Sequence, residues 1–364
     1  MKQRLRVGII GLGVGRGHAE TYAALADRFE LVAVCDMDAA RAEAVAAAFG
    51  APRVCRDLDE MCALPDLDVV DICTPSFLHF TQTLQALAAG KHVILEKPVA
   101  GSLREVDTLI AAEARAGRQV LPIFQYRFGA GLQKLRYLVQ QGIAGQPYVA
   151  TSETHWRRKD AYYAAWHGRW ERELGGPIVT LAVHAHDVIY SVFGPAKRVY
   201  AAMATRVNPI ETEDCAAITL EMANGALVTS SVTTGSARQI SRLRFCFSDL
   251  TAESNTEPYN QTADPWTFTG DSPEIDQQIA GALAGFTPKP ERFVGQFLSY
   301  YDALTGAAEP PVTLADARAS IELITALYHS AQTGLPVELP IGADHPKYGG
   351  WRPAGAAEVK VKSL

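Results

Sequence analysis

A glycine-rich turn between an apolar run and a helical stretch constrains this chain more than any other feature. Leu5 to Ile10 (LRVGII) has the pattern of a buried strand; Gly11-Leu12-Gly13-Val14-Gly15-Arg16-Gly17-His18 follows, and AETYAALADRF continues with helical spacing. The same alternation recurs. ELVAVC (30–35) leads into DAARAEAVAAAFG, DVVDIC (68–73) into FLHFTQTLQALAAG, and KHVILEKPVA (91–100) precedes a further helical stretch and QVLPIF (119–124). Strands alternating with helices predict an α/β fold with a parallel, doubly wound sheet, here read as six strands with five intervening helical segments over residues 1–124.

The glycines have separable roles in such a turn. Gly11 makes the tight turn, Gly13 lets a pyrophosphate approach the backbone, and the helix N-terminus offers free N–H groups to the anion. Position 16 is arginine, so the pattern departs from GxGxxG, and Gly15 takes the third role in a loop one residue shorter. The alternative is a glycine-rich turn with no ligand. Asp36 closes the second strand about 20 residues beyond the turn, where a carboxylate accepts the ribose hydroxyls of a dinucleotide and repels a 2′-phosphate. That favours NAD over NADP. Asp36 could instead cap the next helix, a role Asp38 can also fill, and Arg41 on that helix reads as a solvated residue. The opposite end of this region supplies Glu96, Lys97 and Pro98 at the carboxyl end of the HVIL strand, the edge at which open α/β sheets bind ligands.

Composition excludes several classes. The 364 residues exceed one comfortable core, so at least two domains are expected. Lys and Arg total 34 against 40 acids, a net charge of −6 with no long basic run, so nucleic acid and membrane surfaces are not expected partners. The six cysteines have no CxxC pair and several sit in apolar runs, as in a reduced, cytoplasmic protein. The start MKQRLRVGIIGLG lacks the long apolar core and cleavage site of a signal peptide. No apolar segment approaches the roughly 20 residues that span a bilayer.

Several stretches together resemble the Gfo/Idh/MocA family of NAD(P)-dependent oxidoreductases, which includes glucose-fructose oxidoreductase and inositol dehydrogenases: VGIIGLG, Asp36, TPSFLH (74–79), ALAAGKHVILEKPVA (86–100), FQYRF (124–128) and ADARASIELITALYHSAQTGLPVEL (315–339). The AGKHVxxEKP stretch is the most specific of these. The resemblance implies a Rossmann domain (1–124), an α+β domain with a large open, mostly antiparallel sheet used for substrate and oligomer contacts (125–341), and a tail (342–364). It implies a homodimer or homotetramer acting on a polyol or sugar. Glu96 would contact the nicotinamide-side ribose, Lys97 would be the catalytic lysine with its bond to Pro98 cis, and Thr74, Pro75 and Gln125 would lie along the cofactor, with Arg127 close by.

Further on, Gly175-Gly176-Pro177 precedes IVTLAVHAHDVIYSVFG, read as one helix with Thr180, His184, Asp187 and Ser191 on one face. The family's usual form there is GGGxxxDxGxHxxD. His184 and Asp187 match it, Thr180 stands where the family has its first aspartate, and Ala182 replaces the inner glycine. A threonine hydrogen-bonds but does not take a proton, so proton transfer is expected to rest on Lys97 and His184, with Thr180 beside them. His186 points to another face, and a metal site from His184, His186 and Asp187 is not expected because i and i+2 diverge on a helix. Residues 153–172 hold three tryptophans, two tyrosines, two histidines and five Arg or Lys. They read either as a cover for the cleft or as a subunit contact, with Trp170, which matches a family tryptophan, and Arg169 as substrate contacts. Alternating runs around Asn224-Gly225 predict antiparallel sheet, residues 251–290 read as an irregular excursion, and the tail reads as a mobile loop. The expected activity is hydride transfer between NAD and a secondary alcohol or ketone of a sugar, cyclitol or sugar derivative. A non-catalytic NAD(P)-binding regulator and an NAD-dependent glycosidase are the alternatives.

Overall fold

Short, fully buried runs form the strands of the first third, as a parallel sheet covered on both faces requires. In the computed structural model, which describes residues 4–164 and 167–356, these are β1 (Leu5–Ile10), β2 (Phe29–Cys35), β3 (Val69–Ile72), β4 (His92–Leu95) and β5 (Val120–Pro122). Helices α1 (Gly15–Ala24), α2 (Ala39–Phe49), α3 (Leu58–Cys62), α4 (His79–Ala88) and α5 (Leu103–Ala116) alternate with them. The sheet has five strands in the order β2-β1-β3-β4-β5, all pairs parallel, rather than the six counted from the sequence. Only five apolar runs of strand length exist before residue 124, so the count of six has no sixth segment to support it.

Contacts divide the chain into two units, residues 4–123 with 293–321 and residues 124–292 with 322–356. A cut at 124 separates the two sheets, but the chain returns to the first unit at 293–321. Aromatic packing explains the return. Phe297 stacks on Tyr22 with centroids 4.8 Å apart and meets Phe29 edge-on, while Gln296 Nε2 donates to the Pro122 carbonyl at 3.0 Å. Arg318 adds an ion pair to Asp107 at 2.6 Å.

The second unit is built on an eight-stranded sheet. Its strands are β6 (Pro147–Arg157), β7 (Ala196–Ala204), β8 (Cys215–Met222), β9 (Leu227–Thr233), β10 (Gly235–Phe247), β11 (Leu250–Glu253), β12 (Thr267–Gly270) and β13 (Val337–Glu338), in the order β12-β11-β10-β6-β9-β8-β7-β13. Only β6 and β9 run parallel. Alternating burial along β8 and β9 gives one covered and one open face, and the helix Val183–Phe193 lies against β6 on the covered side.

Three sequence expectations change here. Residues 153–157 are not part of a cover but the end of central strand β6, with Trp156 buried and its indole N–H on Ser241 Oγ at 2.8 Å; Trp166 lies outside the described residues. The stretch 251–290 carries the end of β11, all of β12 and the helix Pro273–Ala284, capped by Ser272. The tail is loop-like, yet it is fastened: Trp351 is buried, donates to the Leu174 carbonyl at 2.7 Å and stacks on Tyr328. Its last eight residues, 357–364, lie outside the described residues.

Candidate functional site

In the first unit the predicted residues gather at the carboxyl ends of adjacent parallel strands. Sheet order reverses between β1 and β3, the switch point at which such sheets bind ligands. Gly11 follows β1 with φ +89°, and a Cβ there would fall 2.6 Å from the backbone of Cys73 and Thr74 beyond β3. Only glycine fits. A Cβ on Gly15 would meet Ile9 Cγ2 at 2.9 Å, so this residue sets the close approach of α1 to the sheet. A Cβ on Gly13 would meet nothing within 4 Å beyond its chain neighbours. The three positions thus divide into a turn, an open approach and a packing contact, the division a dinucleotide cradle needs. Gly17, inside α1, has no neighbour to demand it. Among the described residues no side chain caps α1; the Gly17 N–H turns back to the Val14 carbonyl at 2.9 Å, and a helix N-terminus of this kind is one that an anion can approach.

Asp36 follows β2. Its Oδ2 accepts from the Leu12 N–H at 2.7 Å and its Oδ1 from the Asp38 N–H at 2.9 Å, which ties the strand end to the glycine turn. Asp38, not Asp36, caps α2 by accepting from the Arg41 N–H at 3.1 Å. The Arg41 guanidinium stands 3.4 Å from both Asp36 oxygens, so it is less detached than its sequence position suggests.

Thr74 and Pro75 follow β3. Thr74 donates to Gln82 Oε1 at 2.6 Å, and Pro75 opens the short turn Ser76–Leu78. His79, buried at the start of α4, sits 2.7 Å from the Thr74 carbonyl through Nε2 and 2.7 Å from the Pro98 carbonyl through Nδ1. Two carbonyls favour the doubly protonated ring, whereas burial, the larger effect, pulls its pKa below the ordinary value. Glu96 and Lys97 follow β4. Glu96 is buried and accepts from the Lys97 N–H at 3.0 Å, Lys97 is half-buried, and the Lys97–Pro98 peptide is cis.

A second group forms within the other unit. The turn Gln125–Phe128 is held to the helix Val183–Phe193 by a buried, two-pronged ion pair: Arg127 Nε donates to Asp187 Oδ2 at 2.8 Å and Nη2 to Oδ1 at 2.6 Å. Tyr126 stacks on His184 with centroids 4.5 Å apart. Gln125, His184 and Asp187 are therefore brought together on one rigid corner, and Asp187 serves as the partner of Arg127. His186 points elsewhere, to Ser230 Oγ at 3.0 Å, with burial pulling its pKa down to about 4.

Thr180 departs from the expected alignment. Ile178–Ala182 forms a π-helical turn, and the α-helix begins only at Val183. Its i→i+5 bonding breaks the i, i+4 line from Thr180 to His184, and the Thr180 hydroxyl donates to the Gly176 carbonyl at 3.1 Å. The entry to this turn is set by Glu213, which sequence reasoning missed. Its carboxylate accepts from the Gly176 and Ile178 N–H groups at 3.1 Å each and from the Tyr328 hydroxyl at 2.6 Å. Burial pushes the Glu213 carboxyl up to about 7.

Trp170 and Arg169 fall apart from this group. Trp170 is buried, its backbone and indole N–H groups donate to Glu211, and its ring meets Tyr328 edge-on. Arg169 is exposed. Among the described residues no helix is long and apolar enough to cross a membrane.

Comparison with known proteins agrees with this arrangement. Residues 5–124 match the Gfo/Idh/MocA oxidoreductase family with its NAD-binding Rossmann fold, and residues 132–253 match the Gfo/Idh/MocA C-terminal domain. An uncharacterized oxidoreductase of Synechocystis is 31% identical over 60% of this chain and 63% of its own length, so the match spans less than two thirds of that relative. D-glucoside 3-dehydrogenase of Escherichia coli is 29% identical over 92% of this chain and 97% of its own. The crystal structure of the WlbA dehydrogenase from Bordetella pertussis in complex with NADH and UDP-GlcNAcA superposes with a TM-score of 0.83 at 29% identity, covering 93% of this chain and all of that one. With a glycine cradle and Asp36 that fit NAD, and both halves matched, the chain belongs to the Gfo/Idh/MocA family of oxidoreductases with an NAD-binding Rossmann fold.

Proposed function

We propose that this protein interconverts a secondary alcohol and a ketone on the pyranose ring of a sugar, glucoside or sugar derivative. NAD, when bound, accepts or returns the hydride. In this reading Gly11, Gly13 and Gly15 hold the pyrophosphate, Asp36 the adenosine ribose and Glu96 the nicotinamide-side ribose, with Thr74, Pro75 and Gln125 along the cofactor. Lys97 takes the proton of the reacting hydroxyl; His184 hydrogen-bonds the substrate and passes that proton on; Thr180 supplies only a hydrogen bond. Arg169 is kept as a substrate contact, whereas the contacts of Trp170 favour a framework role. The observation that supports the reading most is the arrival of Glu96 and Lys97 at the same sheet edge as Asp36 and the glycine turn. Among relatives, the full-length match to a D-glucoside 3-dehydrogenase favours a pyranose over a cyclitol.

The test is NADH formation by the purified protein with NAD and with NADP against glucosides, aldoses, sugar acids and inositols. Lys97→Ala should lose about 10²–10⁴ in turnover while still binding NAD; full turnover by that variant would sink the assignment. NAD binding without turnover on any substrate would favour a regulator, and glycoside cleavage without net NADH a glycosidase. We further propose a homodimer or homotetramer formed through the open face of the eight-stranded sheet, where Tyr200, Thr219 and Arg242 stand. Light scattering on the purified protein, showing a monomer, would refute it.

A further inference from the structure

Behind the glycine turn, inside the first unit, lies a polar cluster that the reading above does not use. Asp71 stands in central strand β3, completely buried between Val70 and Ile72. A carboxylate there costs several kcal/mol unless it is paired. Its partners come from α1 and from the residue that follows its own strand. Tyr22 donates its hydroxyl at 2.8 Å, Cys73 its thiol at 3.3 Å, and His18 Nδ1 lies at 2.9 Å. His18 is itself fully buried and closed in by the rings of Phe293 and Phe297, at 4.6 and 5.2 Å between centroids.

The other nitrogen of His18 faces a second carboxylate: Nε2 lies 3.4 Å from Glu96 Oε1. A neutral imidazole has one N–H and one lone pair, so it would turn the lone pair toward one of these two carboxylates. An imidazolium sets positive charge against both: Nδ1 is within hydrogen-bond distance of Asp71, whereas the 3.4 Å approach to Glu96 is a charge contact without hydrogen-bond geometry. Burial acts to lower the His18 pKa, but Asp71, with smaller contributions from Cys73, more than reverses it and holds the ring well above its ordinary value. Glu96 is thus approached by His18 from α1, Cys73 just beyond β3, His79 from α4 and the adjoining Lys97, whose N–H it accepts. These residue types also resemble a metal-ligand set, but the Asp71 oxygens are already taken by three donors, which leaves a hydrogen-bond network instead.

We propose that His18 is a positioning residue for the cofactor: its charge, anchored by Asp71, keeps Glu96 an oriented carboxylate able to accept from the nicotinamide-side ribose. This rests on the reading of Glu96 given above. The position follows from the turn, since His18 comes three residues after Gly15, which packs on Ile9 and Cys73, and so shares its sheet-facing side.

Affinity for NAD measured by calorimetry between about pH 6 and pH 9 tests the inference without turnover. Wild type should change by less than about twofold. In His18→Leu the buried Glu96 loses its counter-charge and takes up a proton as pH falls, so the NAD dissociation constant should rise about tenfold or more toward pH 6. The double variant His18→Leu/Glu96→Gln should be flat. Melting temperatures without cofactor at both pH values control for folding, and should His18→Leu not fold, His18→Gln keeps the shape without the charge and carries the same test. Equal weakening at every pH, or a pH dependence that survives Glu96→Gln, overturns the inference. A protein that shows the expected pH dependence yet oxidises no sugar would refute the proposed function and leave the role of His18 standing.

Discussion

Replacing Gly11 and Gly13 of the turn, one at a time, by alanine should separate folding from binding. At Gly11 the new methyl would require φ +89° of an L-residue and would fall 2.6 Å from three backbone atoms of Cys73 and Thr74. The left-handed conformation costs about 1–2 kcal/mol, and relief of the contact by backbone movement about 1–3 more. The sum, about 2–5 kcal/mol, corresponds to a fall of roughly 4–20 °C in melting temperature. At Gly13 the same methyl meets nothing within 4 Å. Folding should be unaffected or improved by about 0.4–1 kcal/mol through the stiffer unfolded chain. The methyl would, however, occupy the space through which a pyrophosphate reaches the backbone, so affinity for NAD should fall about 10–100-fold, equivalent to about 1.4–2.8 kcal/mol. Thermal melts without cofactor and calorimetric titration with NAD measure the two quantities separately. A Gly13→Ala protein that binds NAD like wild type at an undiminished melting temperature would refute the assignment of the turn, and an unchanged melting temperature for Gly11→Ala would refute the steric reasoning.

Asp36→Ala removes the carboxylate held 3.4 Å from Arg41 and should raise the preference for NADP relative to NAD by about 10–100-fold, read from the two dissociation constants. Loss of the Leu12 N–H acceptor should cost about 1 kcal/mol of stability as well. Asp187→Asn leaves the buried Arg127 guanidinium without its counter-charge, so unfolding in urea should show a loss of about 3 kcal/mol; an unchanged midpoint would mean the pair holds nothing. Glu213 makes the second unit sensitive to pH. Its carboxyl releases a proton near its ordinary 4.5 when unfolded and near about 7 when folded, so stability is full below the first value, falls as pH rises through that window, and levels above it. The total loss is of order 3 kcal/mol at most. Melting temperatures from about pH 4 to pH 8 should trace that decline, and Glu213→Gln should flatten it.

The five parallel strands, the helices between them, Asp36 at the end of β2 and Lys97 at the end of β4 were legible from consecutive residues. A buried parallel strand must be a short apolar run, and a turn at φ +89° must be glycine, so both leave local marks. The turn at Gly11 was legible for the same reason, and the helix contact at Gly15 from the spacing of the motif. The sixth strand was a miscount, since the five apolar runs are the five strands that form. The π turn at Ile178–Ala182 left no mark, since its apolar spacing reads equally well as α-helix. Its cause lies elsewhere in the chain: Glu213, 37 residues from Gly176, and Tyr328, 152 residues away, grip its entry.

Charge pairing was still less accessible. Nothing near His18 in sequence announces Asp71, 53 residues on, and nothing near Arg127 announces Asp187, 60 residues on. Family, sheet type and the residues delivered to the strand ends are written locally, because backbone conformation and periodicity act over a few neighbours. The pairing of buried charges, and what each one holds, comes from the folded arrangement, because desolvation and Coulomb interaction depend on distance in space and not along the chain.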